Sequence, residues 1–240
     1  MALPNKRFDA VKQIDGWFYR EDAILFEAID NIQARSRISG DLLEIGAYHG
    51  KSAAFLGFLL RPKEQFFVCD LFETPGATAE NQIEKDDWYP SLDRETFKRR
   101  YLQVHAHLPR ILTCRSSRVR RTGNLSRTFR FIHVDGSHLY QIVKQDIRTS
   151  SELLKNGGIV AIDDYRSAHT PGVAAATWEA VAAGRLIPLC ITSQKMYATF
   201  GARNITWLQR LKDWGEAQHE LEIAVDQVCF RQILRFSTKP

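Results

Sequence analysis

Four residues near the ends of two short apolar runs have the types and spacing for chemistry. Asp135 closes "RFIHVDG" (Arg130 to Gly136), and Asp163 and Asp164 close "GIVAIDDY" (Gly158 to Tyr165). His138 follows Asp135 by three residues. Carboxylates brought together repel one another and need protons or a cation. A hard dication with oxygen ligands meets that need, and Mg²⁺, which keeps part of its water shell, is the natural candidate. An ion that binds a hydroxyl makes it more acidic. A nearby imidazole, with a pKa near neutrality, is suited to take that proton. Each residue also has an ordinary reading, as a cap of the loop or helix that follows.

A second constellation lies upstream. In "LLEIGAYHGKS" (Leu42 to Ser52), Gly46 and Gly50 stand between an apolar run and a helical pattern. Glycine there lets the backbone turn tightly or approach a ligand closely. The dinucleotide fingerprint G-x-G-x-x-G would need glycine at Tyr48 and Lys51, so a nicotinamide cofactor is disfavoured. Asp70 ends the next apolar run, 24 residues after Gly46. A carboxylate in that place accepts hydrogen bonds from the hydroxyls of an adenosine ribose. Turn and carboxylate together favour a nucleoside-type cofactor more than either does alone.

The elements that must position these residues alternate. Strands are expected at Asp41–Gly46, Gln65–Phe72, Arg110–Arg115, Arg130–Gly136 and Gly158–Tyr165. Helices are expected at Ser52–Leu60, Tyr140–Gly158 and Pro171–Gly184. Strand-helix-strand repetition implies parallel strands with crossover helices, and continuous apolar runs imply that both faces are covered. "RLIPLCIT" and "KMYATFG" are separated by two residues, which demands an antiparallel hairpin. The expected fold is α/β: a doubly wound, Rossmann-like, mostly parallel seven-stranded sheet with an antiparallel terminal hairpin and helices on both faces. The chain reads as a single domain, residues 1–240, with a helical segment at 1–40 and an extension at 202–240 that reads as a helix and a final strand. Residues 73–107 form a polar insertion that leaves the carboxyl end of the second strand, where a lid would sit.

Composition is that of an ordinary globular chain: 240 residues, 44% hydrophobic and 25% charged. No apolar run approaches a bilayer span and the N-terminus lacks a signal-type apolar core, so the expectation is a cytoplasmic protein with no membrane partner. Four isolated cysteines form no C-x-x-C pair, which argues against zinc. The net charge of +5 is concentrated at Lys98–Arg110 and Arg115–Arg130. No nucleic-acid motif accompanies those stretches, and a solvated basic face is the expected reading.

The segments "LLEIGAYHGKSAAFL", "VCDLFE", "FIHVDGSHLYQIVKQDI" and "LLKNGGIVAIDDY" resemble class I S-adenosylmethionine-dependent methyltransferases. More narrowly they resemble the metal-dependent sugar and small-molecule O-methyltransferases of the macrocin and novobiocin type. The resemblance covers roughly residues 16–201, and cephalosporin-hydroxylase-like proteins share it. It implies that Glu44, Gly46 and Ser52 line the methionine part of S-adenosylmethionine, that Asp70 holds the ribose and that Ser117 lies near the adenine. It implies Mg²⁺ on Asp135, Asp163 and Asp164, with Asp135 also bordering the cofactor. Some members carry a base carboxylate two residues after the first metal aspartate. Ser137 stands there in this chain, which moves the catalytic base to His138. The acceptor implied is a hydroxyl of a sugar, oligosaccharide or mannoside, or alternatively of a phenol or other small molecule. No nucleic acid is implied, and the terminal segments suggest a homodimer.

Overall fold

The computed structural model describes residues 5–126, 128–201, 205–218 and 220–239. Residues 1–4 and 202–204 of the two terminal segments lie outside that set. The strands are β1 (Asp41–Ile45), β2 (Phe66–Asp70), β3 (Arg110–Thr113), β4 (Phe129–Val134), β5 (Leu154–Ile162), β6 (Ile187–Ile191), β7 (Met196–Thr199), β8 (Leu221–Val228) and β9 (Arg231–Thr238). They form one sheet in the order β3-β2-β1-β4-β5-β7-β6-β9-β8. Strands β1 to β5 pair in parallel, and β7 enters antiparallel beside β5.

Among the described residues the sheet has nine strands, not seven. The difference lies in the extension, where α9 (Ile205–Glu216) is followed by a hairpin, β8–β9, rather than one strand. That hairpin turns at Cys229 and Phe230, both with positive φ. Such turns are normally signalled by Asn or Gly, so this one carries no sequence signature. A second correction concerns the helix expected at 140–158. The helix α7 (Tyr140–Leu153) gives way directly to β5, whose first residues contain the Gly157-Gly158 pair.

Two apolar layers cover the sheet. On one face, α2 (Arg20–Arg35) and α3 (Lys51–Gly57) pack with α9. On the other lie α7 and α8 (Pro171–Ala182). Register fixes what meets the first layer. Glu44 is level with His133, His133 with Ala161, and Ala161 with Tyr197. Side chains alternate along a strand, so Asp135, Asp163 and Lys195 lie on that same face, one pleat nearer the carboxyl edge. Phe26 of α2 packs on this face, with its ring 5.3 Å from His133 and 6.0 Å from Tyr197.

The 73–107 insertion divides into two helices of different character. In α5 (Arg94–Tyr101), Phe97 and Tyr101 are buried in the core. By contrast α4 (Ala79–Trp88) faces the cavity described next and is tied down by Lys85, whose Nζ donates to the carbonyl of Phe72 at 2.7 Å.

Candidate active site

A cavity of about 1020 Å³ opens above the carboxyl ends of the central strands. Gly46, Ser52, Asp70, Ser117, Asp135, His138, Asp163 and Asp164 all border it. That volume is at the upper end of small-ligand pockets, room for two ligands side by side.

At the β1–β2–β3 end the backbone sets the geometry. Gly46 has φ +84° and donates its N–H to Cys69 O at 2.8 Å. A Cβ at Gly46 would overlap the Asp135 carbonyl. Glycine is therefore demanded here by the approach of two strand ends, rather than by a ligand. The Asp70 carboxylate accepts from Ala47 N–H at 2.7 Å and Phe72 N–H at 2.8 Å. Burial raises its pKa, against the pull of those backbone donors. Asp146 of α7 borders the same end beside Ser116 and Ser117, and burial pushes its carboxyl up to about 7.

At the β4–β5 end the side chains set the geometry. Asp163 accepts the Asp164 N–H on Oδ1 at 2.9 Å and Lys195 Nζ on Oδ2. Lys195 is fully buried and also lies 4.0 Å from Asp22. Asp22 in turn accepts from Thr192 Oγ1 at 2.9 Å and Tyr197 Oη at 2.8 Å. Burial, then the charge of Asp163, drives the Asp135 carboxyl well above its ordinary pKa.

Asp164 turns away from that cluster. Its Oδ1 accepts from Ser167 Oγ at 2.6 Å, and its Oδ2 lies 3.2 Å from His138 Nε2. The other ring nitrogen, Nδ1, lies 3.5 Å from Glu84 Oε1. Burial lowers the His138 pKa, but the carboxylates of Asp164, Glu84 and Asp163 outweigh it and leave it raised. Glu84 also accepts from Ser137 Oγ at 2.5 Å and from His138 N–H at 2.6 Å. So Ser137, which stands where a carboxylate base was sought, binds a carboxylate delivered by α4.

Glu44 does not border the cavity. It is fully buried, accepts from Ser52 Oγ at 2.5 Å and lies 2.9 Å from His133 Nδ1 through the same oxygen. Burial pushes Glu44 up to about 8. The pKa of His133 is held well below the ordinary imidazole value by burial and by the charge of Lys195. Its Nε2 is buried and has no hydrogen-bond partner among the described residues. His133, Asp135 and Asp163 offer ligand atoms within 4.8 Å of one another. An orphaned imidazole nitrogen beside two carboxylates is a donor set that fits a divalent ion.

Sequence reasoning missed His133, Lys195, Glu84 and Asp146. For His133 a signal existed: it lies two residues before Asp135 in an apolar strand, hence on the same face. Lys195, a lone charge at an apolar hairpin, was a weaker one.

The methyltransferase-domain family profile matches residues 43–165, just over half of the chain, and the chain belongs to that family. S-adenosylmethionine is the methyl donor that goes with it. Solved structures share the fold. The O-methyltransferase NovP is 18% identical, with a TM-score of 0.57 over 75% of this chain and 80% of that one. The calicheamicin methyltransferase CalS11 is 12% identical, with a TM-score of 0.52 over 84% and 95%. MycE of the mycinamycin pathway, solved with Mg and SAH, is 14% identical, with a TM-score of 0.52 over 82% of this chain and 54% of that one. No curated protein matches the sequence. Among the described residues no helix is long and apolar enough to cross a membrane.

Proposed function

We propose that this protein is an S-adenosylmethionine-dependent O-methyltransferase acting on a hydroxyl of a sugar or oligosaccharide, mannosides included. The observation that carries the reading is one cavity with two unlike ends: a groove at Gly46, Asp70 and Ser117, and a carboxylate–imidazole edge at Asp135, Asp164 and His138. S-adenosylmethionine supplies a sulfonium methyl that is already electrophilic. The protein must then align an oxygen with it and take a proton. Asp70 presents acceptors to the ribose, while Ser116, Ser117 and Asp146 frame the adenine end. A divalent ion held at Asp135 and Asp163, Mg²⁺ on the resemblance, would acidify the acceptor hydroxyl. His138 takes the proton at a ring nitrogen, and Asp164 and Glu84 stabilise the imidazolium that results.

A relay of rings supports a carbohydrate acceptor. Trp17 lies 5.6 Å from Tyr48, Tyr48 5.5 Å from Tyr89, and Tyr89 6.3 Å from His138. His138 is 6.2 Å from His169, which is 6.4 Å from Trp88. All six border the cavity, and the end members Trp17 and Trp88 are 61% and 65% exposed. Ring faces carry partial negative charge and pack against the C–H face of a pyranose. Asp15, Asn81 and Gln194 lie among them for the hydroxyls. The same reading takes the chain as one cytoplasmic domain with no nucleic-acid or membrane partner. It takes β8, the edge strand in the C-terminal extension, as the place where a second copy would pair in a homodimer.

The test is labelled-methyl transfer to a panel of mono- and oligosaccharides and simple phenols, with products assigned by NMR. Methyl ethers on sugar oxygens support the reading. Turnover confined to phenols, or to nitrogen acceptors, overturns it.

A further inference from the structure

We infer that His133 is a direct ligand of the ion at this edge, with Asp135 and Asp163, and that the site therefore favours first-row transition ions over Mg²⁺. The inference deepens the ion part of the reading above and stands apart from the identity of the acceptor.

Four observations converge. The His133 Nε2 is fully buried and unpartnered among the described residues, an arrangement that costs free energy unless something fills it. Its Nδ1 is committed to Glu44 Oε1. That oxygen also accepts from Ser52, and we assign His133 the tautomer in which Nδ1–H donates to it. Nε2 is then a free lone pair. A carboxylate behind the distal nitrogen is the arrangement by which proteins orient a metal-binding histidine.

Third, the ligand atoms of His133, Asp135 and Asp163 lie within 4.8 Å of one another, close enough to share one ion. Asp164, by contrast, is engaged by Ser167 and His138. Fourth, the charges leave room for a dication. Lys195 contacts Asp163 and lies 4.0 Å from Asp22, so Asp135 is left without a direct cationic contact among the described residues. Asp163 retains lone pairs beyond the bonds from Asp164 N–H and Lys195. An imidazole donor shifts preference away from Mg²⁺, which takes oxygen ligands and gives up its waters reluctantly.

The experiment is binding, not turnover. The purified full chain is titrated with Mg²⁺, Mn²⁺ and Co²⁺ by calorimetry, and the Mn²⁺ form is examined by electron spin-echo spectroscopy. The expected result is one ion per chain, at least ten-fold tighter for Mn²⁺ and Co²⁺ than for Mg²⁺, with a ¹⁴N coupling from a bound imidazole. His133→Gln should abolish the coupling and weaken Mn²⁺ at least ten-fold, while SAH affinity, reporting a folded cavity, is retained. Glu44→Gln, which disturbs the ring's support and the Ser52 contact but removes no ion ligand, should weaken Mn²⁺ by about ten-fold. Bound Mn²⁺ without the ¹⁴N coupling, or Mg²⁺ bound as tightly as Mn²⁺, overturns the role of His133 while the carboxylate site survives. No ion bound by the wild type overturns both.

Discussion

The two ends of the cavity are built by opposite means. At the β1–β2–β3 end, backbone groups hold the site: Gly46 at a strand-end crossing, and Asp70 pinned by two N–H donors. At the β4–β5–β7 end, buried side-chain charges hold it: Lys195 between Asp163 and Asp22, and His138 between Asp164 and Glu84. A backbone-built site presents a fixed shape to a ligand that is the same in every turnover. A charge-built site stores electrostatic energy where an acceptor must be deprotonated. Substitutions should therefore affect binding at one end and chemistry or stability at the other.

The largest contrast is expected from Asp135→Ala. It should lower kcat by about 10³-fold, in the range of losses seen when a preorganised charge is removed, and it should raise thermal stability by relieving repulsion with Asp163. A turnover assay beside a melting curve checks both. Next comes Lys195→Met, expected to cost roughly 3–5 kcal/mol in denaturant unfolding because Asp163 and Asp22 are left buried without their cation. An unchanged midpoint would show that this end is not charge-built.

Asp146 gives a pH-dependent test at the backbone-built end. Its folded pKa, about 7, lies above the unfolded value of 3.8, so the folded state holds the proton more tightly. Its stabilising contribution is present below about pH 4 and is lost as pH rises toward 7, on the order of 4 kcal/mol in all. Asp146→Asn should flatten that slope in denaturant midpoints measured from pH 5 to 8. The smallest effect is expected at the rim. Trp88→Ala should lower kcat/KM for an oligosaccharide about five- to ten-fold relative to the monosaccharide, whereas Trp88→Phe retains most of it.

The same contrast explains what was legible in the sequence. The strand-turn-helix at Leu42–Ser52 and the apolar runs around it are local patterns, and β1 to β4 follow them closely, while β5 begins four residues before its apolar run. Asp70 and the acids at 135, 163 and 164 could be placed because strand ends in a parallel sheet share one edge. The partners of those acids could not. Lys195 reaches Asp163 from the hairpin turn just before the antiparallel strand β7, and Glu84 reaches Ser137 and His138 from a helix more than fifty positions upstream. Such long-range pairings leave no periodicity. The ninth strand was hidden for a local reason, a Cys229-Phe230 turn without glycine or asparagine.

The division of labour between the two ends is tested most directly by measuring SAH affinity and methyl transfer together in Asp70→Ala and Asp135→Ala. Asp70→Ala is expected to weaken SAH at least ten-fold. Asp135→Ala is expected to bind SAH within about three-fold of the wild type, under 1 kcal/mol, while methyl transfer is lost. The reverse pattern, with SAH binding lost in Asp135→Ala and intact in Asp70→Ala, would contradict the assignment of the two ends.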